Sequence, residues 1–183
     1  LNNKIDNYEG TVYIKLFDKS QKIKTLGNEG NTPFEFESYN NILFQGKAKI
    51  INGSFSTQII IPKDIFYYSG KGRISLFATN EKTEASGIEN SLIITGSNPN
   101  YTVDNEGAVI KIFMNDTLFK SGNQTHENPK LFVKIYDPSG INISNSAIGH
   151  NISIVLDNQD ENMIVLNEFY SADYNTFASG TIE

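Results

Sequence analysis

The stretch FQGKAKIINGSFSTQIIIPKDI (residues 44–65) sets two apolar-leaning arms around an Asn-Gly pair. Asn-Gly is the pair that best tolerates positive φ at both central positions of a type I′ turn. With Asn52 and Gly53 as that turn, Ile51 faces Ser54. One face of the ribbon then carries Phe44, Gly46, Ala48 and Ile50 opposite Ile61, Ile59, Thr57 and Phe55. The other carries Gln45, Lys47, Lys49 and Ile51 opposite Ile60, Gln58, Ser56 and Ser54. One dry face and one wet face are the mark of an antiparallel pair lying over a core. Pro62 cannot donate to a ladder and is expected to end the second arm.

Outward from this hairpin, strands dominate. TVYIKLF (11–17), FEF (34–36), GRISLFA (72–78) and SLIIT (91–95) are short and rich in β-formers. Turn residues separate them in NEGN, SGKG and EASG. No segment carries a 3.6-residue apolar stripe over three turns. GSNPNYTVDNEG (96–107) is polar and turn-rich, and reads as a linker. A second set follows in AVIKIFM (108–114), LFVKIYD (131–137), NISIVLD (151–157), MIVLNEF (163–169) and FASGTI (177–182). VIKIFMND in this set echoes VYIKLFDK in the first.

The expected fold is therefore all-β, as two tandem immunoglobulin-like β-sandwich domains. Residues 1–97 form the first, 98–107 the linker and 108–183 the second. An immunoglobulin-type sandwich needs about seven strands and the second set offers about five. The chain stops at Glu183 directly after a strand-like run, so the second domain is expected either to be cut short or to be a smaller β-unit, and, if cut short, to be less stable than the first. It begins at Leu1 and not Met, as a processed or a designed piece would.

The 183 residues carry 15 basic and 21 acidic side chains, a net charge of −6 that argues against a nucleic-acid binder. No apolar run reaches the ~18 residues of a membrane-spanning helix. There are no cysteines, which removes disulfides, thiolate metal sites and a cysteine nucleophile from this chain. The Asn-x-Ser/Thr matches at Asn52, Asn115, Asn123, Asn142 and Asn151 are expected by chance in so Asn-rich a sequence.

Candidate site residues are few. His126 and His150 lie far apart in polar contexts and suit a solvated loop and a strand entry better than a metal. Asp157, Asn158, Asp160 and Glu161 offer the oxygen ligands hard cations favour, but without an EF-hand spacing they read as a turn between strands. DPSGIN (137–142) reads as a turn capped by Asp137. Lys63 and Asp64 are adjacent and point apart on an extended chain, so they make no catalytic pair; Asp64 is expected to cap the next turn. Tyr67 and Tyr68 could stack on a sugar, although neighbours in a strand would leave at most one exposed. Tyr170 and Tyr174 pose the same choice. No Ser-His-Asp order, phosphate loop or dinucleotide fingerprint is present. The residues give no catalytic, cofactor-binding or metal assignment.

Four stretches, GTVYIKLFDKSQKIKTLGN (10–28), LFQGKAKIINGSFSTQIIIPKDIFYYSGKGRISLFA (43–78), NPKLFVKIYDPSGINISNSAIGHNISIVLDN (128–158) and IVLNEFYSADYNTFASGTI (164–182), resemble the PorU family. These are gingipain-like cysteine peptidases that serve as sortases of the type IX secretion system in Bacteroidota. The similar region is the β-rich part after the catalytic domain. The resemblance implies an exported, cell-surface parent that removes the C-terminal signal domain of cargo and joins the cargo to lipopolysaccharide. It implies for this chain a non-catalytic accessory role, with cargo signal domains and the surface attachment complex as partners. A glycan-binding or adhesin-type sandwich is the alternative. Neither histidine matches the catalytic part, and no nucleophile carries over.

Overall fold

A computed structural model describes residues 5–63, 65–100, 104–146 and 150–183. The chain is all-β, consistent with a sandwich, and most of the expected strands are present. They are β1 (Gly10–Phe17), β2 (Gln21–Lys24), β3 (Glu35–Ser38), β4 (Ile42–Ile50), β5 (Gly70–Lys71), β6 (Arg73–Thr79), β7 (Glu84–Glu89) and β8 (Ile93–Ile94). Then come β9 (Val109–Met114), β10 (Leu131–Tyr136), β11 (Ser153–Val155), β12 (Met163–Val165), β13 (Tyr170–Tyr174) and β14 (Ser179–Ile182). Short 3-10 turns at Asp160–Asn162 and Asn167–Phe169 flank β12.

Eight strands form one sheet in the order β7-β6-β1-β4-β13-β14-β10-β9. Every neighbour pair in it is antiparallel except β4 with β13, which is parallel. Three two-stranded ribbons, β2-β3, β5-β8 and β11-β12, complete the strands among the described residues. Strands from 10–89 and strands from 109–182 thus meet in a single sheet at the β4–β13 ladder.

The turn at the opening stretch is as read. Asn52 and Gly53 have φ of 51° and 66°, and Ile51 and Ser54 exchange both backbone hydrogen bonds at 2.8 and 3.1 Å. The facing of the first arm also holds: Phe44, Ala48 and Ile50 are buried while Lys49 is exposed. The second arm differs, because residues 55–61 form no strand. The physical reason is edge occupancy. A strand has two hydrogen-bonding edges, and those of β4 are taken by β1 and β13. The arm instead leaves the sheet, with Ile59 and Ile65 packing partly buried against the core. EASG, read as a turn, lies within β7, an edge strand whose residues are exposed on both faces and so show no alternation.

One register row crosses the whole sheet: Gly87, Leu76, Ile14, Gly46, Ala172, Gly180, Ile135, Ile110. Its middle is made of the smallest side chains, and two rings fill the space. A Cβ at Gly46 would meet the Phe44 ring at 2.7 Å, and one at Gly180 would meet the Tyr170 ring at 2.5 Å. Val12, Leu16, Val133 and Ile182 are buried with Ile14, Ala172 and Ile135 of this row in one cluster that draws on both halves of the chain.

Candidate functional site

The sequence candidates are scattered by the fold. His126 lies in an exposed loop and His150 in an exposed segment before β11. Asp157 and Asn158 both have φ of 55° and make the turn between β11 and β12, with Asp160 and Glu161 in the following 3-10 turn, all exposed. No three His, Asp or Glu side chains among the described residues are grouped to hold a metal. Asp137 caps its turn by accepting the Ser139 N–H at 2.8 Å, and Gly140 N–H closes the turn on Asp137 O at 3.0 Å. Lys63 lies in a bend before β5, and Asp64 falls outside the described residues.

The tyrosines part company. Residues 66–69 are not a strand, so both Tyr67 and Tyr68 reach solvent, at 103% and 48% exposure. The Tyr68 ring stacks on Phe66 at 5.9 Å, and its hydroxyl donates to Ser20 O at 2.7 Å. Burial, and then the carboxylates of Asp18 and Glu37, push that phenol above its ordinary value. Tyr170 is core, and burial raises its phenol far above the usual range, with Asp173 adding to the effect. Tyr174 is on the surface.

Tyr174 belongs to a constellation that only strand order reveals. One residue along from the Gly46 row, the opposite face of the sheet carries Phe77, Tyr13, Lys47 and Tyr174 in register across β6, β1, β4 and β13. The three rings are 41%, 46% and 42% exposed, which makes them available for stacking. Tyr13 and Phe77 pack with centroids 6.2 Å apart. The Lys47 ammonium lies 5.0 Å from the Tyr174 ring centre and that of Lys49 lies 5.7 Å from it. The Tyr174 hydroxyl is within 3.1 Å of Thr11 Oγ1. Lys15 shares this face, and none of the described residues on that face of β6, β1 or β4 is acidic. Farther along, Lys111, Phe132, Lys134 and Tyr136 line a hollow of about 370 Å³ on the same side. Flat aromatic rings with interleaved ammonium groups suit an anionic or sugar-bearing partner. The bulge between Ala172 and Tyr174 turns Tyr174 to this face, and Asn175, at φ 58°, fixes it by donating its N–H to Lys47 O at 3.0 Å and accepting Lys49 N–H at 3.2 Å.

A second, buried constellation sits at the far end of β1. Asp18, Lys19, Asn41, Ser144 and Asn167 are each under 5% exposed. The Asn41 carboxamide donates to Asp18 Oδ2 at 3.3 Å, while its Oδ1 accepts Ser144 O–H at 3.0 Å and Asn145 N–H at 2.9 Å. Asn167 donates to Asn145 Oδ1 at 2.8 Å and Ile143 O at 3.0 Å, and accepts Ile152 N–H at 2.8 Å. The network ties the end of β1 to segments more than 100 residues away.

No family model and no curated protein matches the chain. Among solved structures it is similar to the crystal structure of dimeric latent PorU from Porphyromonas gingivalis, at 34% identity and a TM-score of 0.52. The likeness covers 96% of this chain and 17% of that one, so the chain spans about a sixth of the length of the protein it matches. It supports a PorU-like relationship for this β region.

Proposed function

We propose that this chain is a non-catalytic accessory β region of a PorU-like sortase, exported to the cell surface, where it positions the catalytic part against protein partners. The observation that carries this reading is the 34% identity sustained over 96% of an all-β chain that has no cysteine. The partners on this reading are cargo signal domains and the proteins of the surface attachment complex. The units 1–97 and 108–183, joined at 98–107, act together, and the shared eight-stranded sheet favours their moving as one body. The deciding experiment deletes residues 1–183 from the parent. Cargo cleavage, partner binding or surface attachment is expected to fail, and a parent that keeps all three overturns the proposal.

The aromatic and lysine row favours a second reading, in which the exposed face of β6-β1-β4-β13 binds an anionic glycan. Rings at Tyr13, Phe77 and Tyr174 stack on sugar faces while Lys15, Lys47 and Lys49 meet phosphate or carboxylate groups. Titration with lipopolysaccharide and with its dephosphorylated form tests this. Binding weakened by dephosphorylation and by salt is expected, and no binding to either form removes the reading.

A further inference from the structure

We propose that Lys19 and Asn41 are the two ends of an intramolecular amide cross-link, with Asp18 as the proton-transferring group. The Lys19 side chain is 1% exposed and its ammonium forms an ion pair with Asp18 Oδ1 at 2.9 Å. An ammonium has three donors, yet this one makes no hydrogen bond of good geometry among the described residues. Around it lie the Tyr68 ring, 5.5 Å from the ammonium, and Gly70, where an added Cβ would meet the lysine stem at 3.0 Å. A buried ammonium held so sparsely is costly as a permanent ion pair, and the cost disappears once the nitrogen becomes an amide.

Asp18 holds the two reaction partners on its two oxygens: the amine on Oδ1 and the Asn41 carboxamide nitrogen on Oδ2. The orientation of that carboxamide follows from its neighbours. A carboxylate only accepts and a backbone N–H only donates, so Nδ2 faces Asp18 and Oδ1 faces Asn145 N–H and Ser144 O–H. Two donors on Oδ1 are what a carbonyl needs when charge develops on its oxygen during attack. Asp18 and Asn41 also meet at the backbone just beyond the ends of β1 and β4, since Asp18 N–H donates to Asn41 O at 2.9 Å.

The step balances without oxidant or cofactor. Asp18 takes one proton from the Lys19 ammonium. The freed Nζ attacks Asn41 Cγ, and the oxyanion is held by Ser144 and Asn145. The Cγ–Nδ2 bond breaks as Asp18 returns its proton to the departing nitrogen. The second proton of the attacking nitrogen leaves with the ammonia, as ammonium. The product is an Nζ–Cγ amide that closes the base of the exposed β2-β3 arm.

Intact-mass measurement of the purified, incubated chain tests this. The product is one ammonia lighter, by about 17 Da. Cyclisation at Asn52-Gly53 would lose the same mass, so the tryptic map decides. A branched peptide joining 16–22 to 25–47 is expected, with no cleavage after Lys19. Lys19→Arg and Asn41→Ala should each restore full mass and abolish the branched peptide. Full mass in the unaltered chain, or ammonia loss without that peptide, overturns the cross-link.

Discussion

The Gly46 row and the Lys47 row are one residue apart on the same strands, yet they serve opposite ends. The first reads Leu76, Ile14, Gly46, Ala172, Gly180 and Ile135, graded from large to small to large, and it is closed by the rings of Phe44 and Tyr170. The second reads Phe77, Tyr13, Lys47 and Tyr174, and its rings are left open to solvent. A sheet pointing successive side chains to opposite faces lets one register specify both a core and a docking surface. Where the rings lie on the inner face they replace missing Cβ atoms; where they lie on the outer face they stay partly open to solvent.

Changes on the two faces should therefore have separable effects. The largest is expected from Gly180→Val, because the new side chain meets the Tyr170 ring at 2.5 Å and also the Ser171 carbonyl, which cannot rotate away. A loss of about 4 kcal/mol in denaturant unfolding follows, above the usual overpacking range because backbone is in the way. Ile14→Ala, on a residue 2% exposed, should cost about 3 kcal/mol by the same measurement. Asn167→Ala removes donors to Ile143 O and Asn145 Oδ1 and the acceptor of Ile152 N–H. It should cost about 2 kcal/mol through the buried groups left unpaired.

Tyr170→Phe sharpens the contrast, since the hydroxyl it removes is buried and has no hydrogen-bond partner among the described residues. At neutral pH the change should lie within about 1 kcal/mol of the parent, in either direction. The difference appears in alkali. Burial raises the folded phenol above its unfolded value, so the folded state holds its proton where the unfolded state loses it. Stability from this group is complete below about pH 10 and declines as pH rises further. Stability measured from pH 9 to 12 should fall less steeply in Tyr170→Phe. Equal slopes would mean that the ring is not excluded from water. The smallest effect on stability is expected from Tyr13→Ser and Lys47→Gln, within about 0.5 kcal/mol. Those two should instead weaken any anionic glycan binding. A cost matching that of Ile14→Ala would erase the distinction between the faces.

Much of the inner row was legible from spacing. Phe44, Ala48 and Ile50 alternate with Gln45, Lys47 and Lys49, and TVYIKLF alternates in the same way, so the faces of β1 and β4 could be sorted before their partners were known. The partner of β4 could not. YSADY (170–174) has an Asp and two small residues, and pairs with β4 through only Ala172 and Tyr174, so its strand character comes from the sheet and not from propensity. From spacing alone, the Asn-Gly turn places residues 55–61 on the edge of β4 that β13 in fact occupies. The outer row was hidden for the same reason: Tyr13, Phe77 and Tyr174 become neighbours only when strand order is known. The Asp18–Lys19 pair was hidden by composition. FDKSQK carries three charged and two polar side chains, and its burial depends on long-range partners of Asp18 at Asn41 and Phe66.

The parallel ladder also has a consequence in time. Lys49 and Asn175, which bond across it, are 126 residues apart in the chain. During synthesis β1, β4 and β6 can assemble early, but β4 then presents a bare edge until β13 emerges and docks. Pairing across so long a loop is slow, and an open strand edge invites wrong neighbours while it waits. The nascent polypeptide thus passes through an interval of stickiness whose length is set by how late β13 is made, and a holdase that shields strand edges would be most useful in that interval.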